Sequence, residues 1–210
     1  MKSTSYLLKY KIGNISTSQK EIVDITKAWI AISVAFAILL TGGPIYNNIF
    51  SSKFYSMFII SSITVGIGFL LHELGHKFVA QRYGCFAEFR SFDNMLVLAI
   101  LMSFFGFLIA APGAVFISGK VGRERNGKIS AAGPVVNIIL AVVFLAASFS
   151  SIEIIKKTSF YGFMINSWLA LFNMIPLWNF DGAKIFKWNK LYYFAITATA
   201  FIFVFARNFV

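Results

Sequence analysis

"FLLHELGHKFVAQRYG", Phe69 to Gly84, closes an eighteen-residue stretch, Phe54 to Leu71, that carries no charged side chain. Eighteen apolar residues are enough to cross a bilayer as a helix. The chain nevertheless places its only two histidines, His72 and His76, with Glu73 and Lys77 at the end of that stretch. Residues four apart on a helix share one face, so both imidazoles reach a single ion, while Glu73 lies about 100° round. The pattern is H-E-x-x-H, in which two histidines hold zinc and the glutamate is the general base of hydrolysis. Ionisable groups at membrane depth are costly and mark function.

The surrounding composition agrees with a lipid setting. Of 210 residues, 58% are hydrophobic and 13% charged, with a mean hydropathy of +0.75; a soluble domain carries about 25% charged residues. The expected fold class is an all-α membrane protein, one membrane-embedded domain over residues 1–210. It has a polar segment 1–27, a core 28–186 and a C-terminal span 191–208. Residues 1–27 hold no apolar run before a small-residue cleavage site, so the first span is expected to be retained. Cys85 is the lone cysteine, which excludes an intrachain disulfide and a Cys-rich metal site. The net charge of +11 suits loops facing anionic lipid. The aromatics lie in the spans rather than among basic residues, and no nucleic-acid module is present.

About six apolar segments make a polytopic helical bundle. Tyr6, Leu8, Tyr10 and Ile12 alternate and predict a short strand before Gly13. Ser18 to Glu21 has the S-x-x-E form of a capping box, whose two side chains satisfy helix-start N–H groups. Span one then runs past Trp29, an expected interfacial anchor, and breaks at Gly42, Gly43 and Pro44. Span two is Phe54 to about Arg82 with Gly84 as its stop, and Tyr46, Phe50, Phe54, Tyr55 and Phe58 fit an interface belt. Further runs are Ser130 to Phe149, opened by Gly133 and Pro134, then Phe160 to about Trp178, and Leu191 to about Val204. The sixth, Met95 to Ser118, is interrupted by Pro112 and Gly113.

Catalytic zinc takes a third protein ligand and leaves one position for water. The later carboxylates are Glu88, Asp93, Glu124, Glu153 and Asp181. Glu153 sits in "SSIEIIKKTS", which reads as a solvated loop. Asp181 lies in "NMIPLWNFDGAKIF", where Pro176 ends a helix and Gly182 permits a tight turn. An isolated Asp-Gly reads as a turn; beside an H-E-x-x-H short of a ligand, Asp181 is the stronger candidate.

"HELGH" at 72–76, "GPVVN" at 133–137 and "NMIPLWNFDG" at 173–182 together resemble, in order and spacing, the three motifs of the site-2 protease family of intramembrane zinc metalloproteases. The likeness covers about residues 28–186 and is to archaeal-type members without a PDZ or CBS module. It implies that His72, His76 and Asp181 bind one Zn2+, that Glu73 is catalytic, and that the substrate is a membrane protein with a transmembrane helix. Asn137 and Asn173 match polar family positions; donation to the substrate carbonyl and a helix–helix hydrogen bond are both open for them.

The ligands constrain topology. If all six runs crossed, His72 and Asp181 would finish on opposite faces and no single ion would bind both. The site closes if Met95 to Ser118 is re-entrant, leaving five spans. The basic residues then divide fifteen inside against four outside, instead of eleven against eight, as the positive-inside rule prefers. The segment is expected to descend as a helix from about Asn94 to Ala110 and return extended from Gly113 to Gly119. This gives a small β element, Ala114, Val115, Phe116, Ile117 and Ser118, beside the zinc, to which an unwound substrate could add as a strand. A plain interfacial helix with a loop is the other reading of this segment. The expected location is the cell membrane, multi-pass, with the N-terminus and site opening on the cytoplasmic side.

Two other functions remain open. A membrane ion carrier would spread polar residues along several spans, whereas here they cluster at one end. An inactive relative would bind membrane helices without cutting them; the presence of Glu73 argues for hydrolysis.

Overall fold

The computed structural model describes residues 9–12, 15–42, 51–108 and 112–206. The chain opens with an antiparallel hairpin, β1 (Lys9–Ile12) and β2 (Ile15–Ser18), where the alternation predicted a strand; residues 1–8 lie outside the described part. Ser18 caps α1 (Gln19–Thr41) by accepting the Glu21 N–H at 3.2 Å. The second half of the expected capping box does not form. The Glu21 carboxylate turns inward and accepts from Thr17 Oγ1 at 2.7 Å, Lys77 Nζ at 2.6 Å and the Phe89 N–H at 2.8 Å. A buried carboxylate with three donors in reach is better satisfied there than on one backbone N–H. Gly42, with φ +62°, ends α1 as expected, and Tyr46 and Phe50 of the proposed belt lie outside the described residues.

α2 (Ser52–Ser61), a π-turn (Ser62–Gly66) and α3 (Ile67–Arg82) form one continuous helix of 31 residues. The π-turn has a local cause. Trp29 Nε1 donates to the Ser62 carbonyl at 3.0 Å, and a Cβ on Gly66 would come within 2.7 Å of the Trp29 ring. Trp29 is therefore half-buried between helices rather than a free interfacial anchor. Gly84, with φ +75°, follows the end of α3, and β3 (Phe86–Ser91) begins.

α4 (Asp93–Ser103) is shorter than the expected descending limb, and residues 109–111 lie outside the described part. β4 (Gly113–Ser118) is extended, as Pro112 and Gly113 suggested, and pairs antiparallel with β3, Phe89 opposite Val115. One face of this pair puts Ala87 and Phe89 against Ala28, Ala80, Leu96 and Ile129. Gln81 ties the end of α3 to both sheets, bonding the Ser16 backbone at 2.9 and 3.1 Å and the Ala87 carbonyl at 2.8 Å.

α5 runs from Arg123 to Ala147, so Gly133 and Pro134 lie inside it rather than opening it. Pro134 has no N–H to give the carbonyl one turn earlier, yet the helix continues because tertiary packing holds both sides. Gly75 of α3 faces Ala132 and Val136 of α5, where an added Cβ would stand 3.2 Å from Val136. α6 (Glu153–Asn173) crosses α5 where Gly162 meets the Phe144 ring; α7 (Asp181–Trp188) and α8 (Lys190–Ala206) follow and end the described residues.

Among the described residues three helices are long and apolar enough to cross a membrane: α1, the 31-residue helix and α5. This is fewer than the five spans plus a re-entrant segment expected. α6 has 21 residues but carries Lys156, Lys157, Asn166 and Asn173, and α8 has only 17.

Candidate zinc centre

α3 presents His72 and His76 on one face, with ring centroids 4.7 Å apart. Asp181 reaches them from the first residue of α7: its Oδ2 lies 3.3 Å from His72 Nε2 and 3.1 Å from His76 Nε2. All three are buried, and their ligand atoms fall within 4.8 Å of one another. Gly182 makes this approach possible. A Cβ there would sit 2.2 Å from the Met174 carbonyl oxygen, so only glycine lets the start of α7 rest on the end of α6.

The donor set fits zinc. Each imidazole has its Nδ1 engaged, His72 with Asn137 Oδ1 at 2.5 Å and His76 with the Ile129 carbonyl at 2.8 Å. A carbonyl oxygen only accepts, so both Nδ1 atoms carry the proton and both Nε2 lone pairs point at the cluster, as second-shell control of a metal-binding histidine requires. Gly133 closes one side: a Cβ there would come 2.5 Å from both Nε2 atoms, so this position keeps the cradle open. The other Asp181 oxygen, Oδ1, lies 3.8 Å from Lys184 Nζ.

Glu73 is half-buried, and its Oε2 accepts the Val115 N–H of β4 at 3.2 Å. Phe89, opposite Val115, turns its own N–H away to Glu21. The two residues thus form a non-hydrogen-bonded pair, which points the backbone groups of Val115 and, two residues on, Ile117 toward the Glu73 side. Phe116 and Ser118 are exposed, and Ala114 is half-buried.

The other candidates separate. Asn137 is fully buried and bonds His72, the Gly68 carbonyl at 3.2 Å and Asn166 at 3.0 Å, which is a helix–helix role. Asn173 donates within its own helix, to the Leu169 carbonyl at 2.9 Å. Glu153 is the exposed first residue of α6 and lies outside the cluster. Gly133, Ile129, Lys184 and Asn166 were not singled out from sequence as parts of the site. Asn166, a lone amide in "FMINSWLA", was the one that intramembrane polarity could have flagged.

No family model and no solved structure matches the chain. Two proteins of Methanocaldococcus jannaschii do. One, named "Putative zinc metalloprotease MJ0611", is 43% identical over 176 residues, covering 82% of this chain and 86% of that protein. The other, named "Zinc metalloprotease MJ0392", is 31% identical over 157 residues, covering 73% of this chain but 39% of that longer protein. With the first relative spanned over most of its length and a His-His-Asp cluster able to hold the metal, the chain belongs to a family of zinc metalloproteases, and zinc is its cofactor.

Proposed function

We propose that the protein is an intramembrane zinc endopeptidase of the site-2 protease type, which hydrolyses peptide bonds within or near transmembrane segments of membrane proteins. One observation carries this reading. His72 and His76 of the buried cradle lie on a helix of spanning length, Asp181 reaches them from α7, and Glu73 beside them is held against the outward edge of a two-stranded sheet.

In this reading His72 and His76 through Nε2, and Asp181 through Oδ2, hold the metal. Zinc, when bound, supplies Lewis-acid polarisation and makes a water acidic enough to ionise near neutral pH. Glu73 takes the proton from the attacking water and returns it to the leaving amine. A substrate helix hides its amides in its own hydrogen bonds and must unwind before attack. The outward Val115 carbonyl and the Ile117 backbone groups replace those bonds when the unwound segment adds to β4, while the Val115 N–H stays on Glu73. Such a reaction needs water, so the cradle opens toward the basic, cytoplasmic end of α3, with 95–118 turning back within the membrane.

The test is reconstitution of the zinc-loaded protein in vesicles with a membrane protein carrying one helix-destabilised transmembrane segment. Mass spectrometry of the products should map the cut inside or at the border of the apolar segment. Cuts confined to soluble regions would refute the intramembrane reading, and metal-retaining protein that cuts nothing would favour a helix-binding role.

A further inference from the structure

The buried amide of Asn166 lies one residue beyond anything the zinc chemistry requires directly. Asn166 is wholly buried in α6, beside the equally buried Ser167. Its Nδ2 donates to the Gly162 carbonyl at 2.9 Å. Since that carbonyl can only accept, the orientation of the Asn166 amide is fixed, and Oδ1 must face the other way. There it accepts from Asn137 Nδ2 at 3.0 Å. Asn137 Nδ2 also donates to the Gly68 carbonyl at 3.2 Å, which engages both its hydrogens and leaves Asn137 Oδ1 to face His72 Nδ1 at 2.5 Å.

The direction of every bond is therefore set from two backbone carbonyls, those of Gly162 and Gly68. The relay runs from α6 through α5 to α3, and its end is a His72 tautomer with the proton on Nδ1 and the lone pair on Nε2. Gly68 makes room for the crossing, since a Cβ there would stand 2.5 Å from Asn166 Oδ1. By contrast His76 takes its orientation directly from the Ile129 carbonyl. Only one of the two histidines depends on side chains that are free to flip.

We propose that Asn166 is a positioning residue for the zinc site, locking the Asn137 amide so that His72 presents Nε2 to the metal. This rests on the reading of His72 as a zinc ligand. Without Asn166, Asn137 keeps only the longer Gly68 bond, its second amide hydrogen is buried without a partner, and the amide that faces His72 is held at one point instead of two.

The experiment measures zinc affinity by chelator competition, and the visible absorption of the Co2+-substituted protein, on the full chain in detergent. Asn166→Leu should weaken zinc binding about tenfold, the lower end of the range for metal second-shell partners, and should shift the Co2+ bands. Ser167→Ala alters a neighbouring buried polar group whose bond stays within α6, to the Phe163 carbonyl, and should leave both readouts at wild-type values. His72→Ala should lose more affinity than either. If the leucine variant does not fold, Asn166→Ala removes the amide without added bulk and carries the same expectation. Wild-type affinity and spectrum in the Asn166 variant, or equal losses in Ser167→Ala, would overturn the relay. Wild-type zinc retention in His72→Ala would instead overturn the reading of the site.

Discussion

Lys77 Nζ lies 2.6 Å from Glu21 Oε2, with the Lys77 side chain 2% exposed and that of Glu21 wholly buried. The pair joins the start of α1 to the residue after His76, and through the other Glu21 oxygen it reaches the Phe89 N–H of β3. Helix, zinc-bearing segment and strand edge are thus held by one carboxylate. Removing one partner of a buried ion pair leaves an uncompensated charge and costs about 3–5 kcal/mol. Lys77→Met should therefore lower unfolding stability in detergent by about that amount. The double variant Lys77→Met with Glu21→Gln should recover much of the loss, and additive losses would contradict coupling.

Gly133 is tied to metal capacity rather than to helix shape. With Nδ1 of both histidines engaged, neither ring can swing away from an added methyl. Gly133→Ala should therefore reduce zinc affinity by roughly tenfold or more, the range of disturbed metal surroundings, with helix content unchanged by circular dichroism. Wild-type metal content in the purified variant would refute this placement.

The bond from Val115 to Glu73 connects the strand edge to the base. Val115→Pro removes that donor. Loss of a hydrogen bond to a charged group is worth about 1.5–3 kcal/mol, so turnover should fall about tenfold or more while bound zinc stays near one per chain. Unchanged turnover would show that Glu73 needs no support from β4.

Two of the three candidate ligands could be read in sequence because they follow from short-range geometry, whereas Asp181 came from weighing the later carboxylates and from the family resemblance. Spacing alone put His72 and His76 on one face, and Pro112 with Gly113 marked where the chain turns extended. What could not be read depends on which helices touch. The inward turn of Glu21 needs Lys77 and Phe89 beside it, and the role of Gly133 needs α5 to lie across α3. Pro134 suggested a helix start, whereas packing on both sides carries α5 through it. Among the described residues apolar length also overstated the spans, because α6 spends several positions on polar residues and the described α8 has 17 residues.

The proposed location of the α5 start at the cytoplasmic face is testable by single-cysteine labelling. Cysteine at Arg123 or Lys128 should resist a membrane-impermeant thiol reagent in intact cells and react after permeabilisation. Efficient labelling from outside would contradict a re-entrant 95–118 segment. Cys85 is buried and should give little background.

The proposed cut of a peptide bond in a membrane segment by zinc and Glu73 together is tested by turnover of a helix-destabilised transmembrane peptide by the zinc-loaded protein and by Glu73→Gln in detergent. Loss of the base should reduce cleavage by at least about a hundredfold, with one zinc retained and chelation abolishing wild-type activity. Equal cleavage by wild type and Glu73→Gln, or cleavage that survives zinc removal, would contradict it.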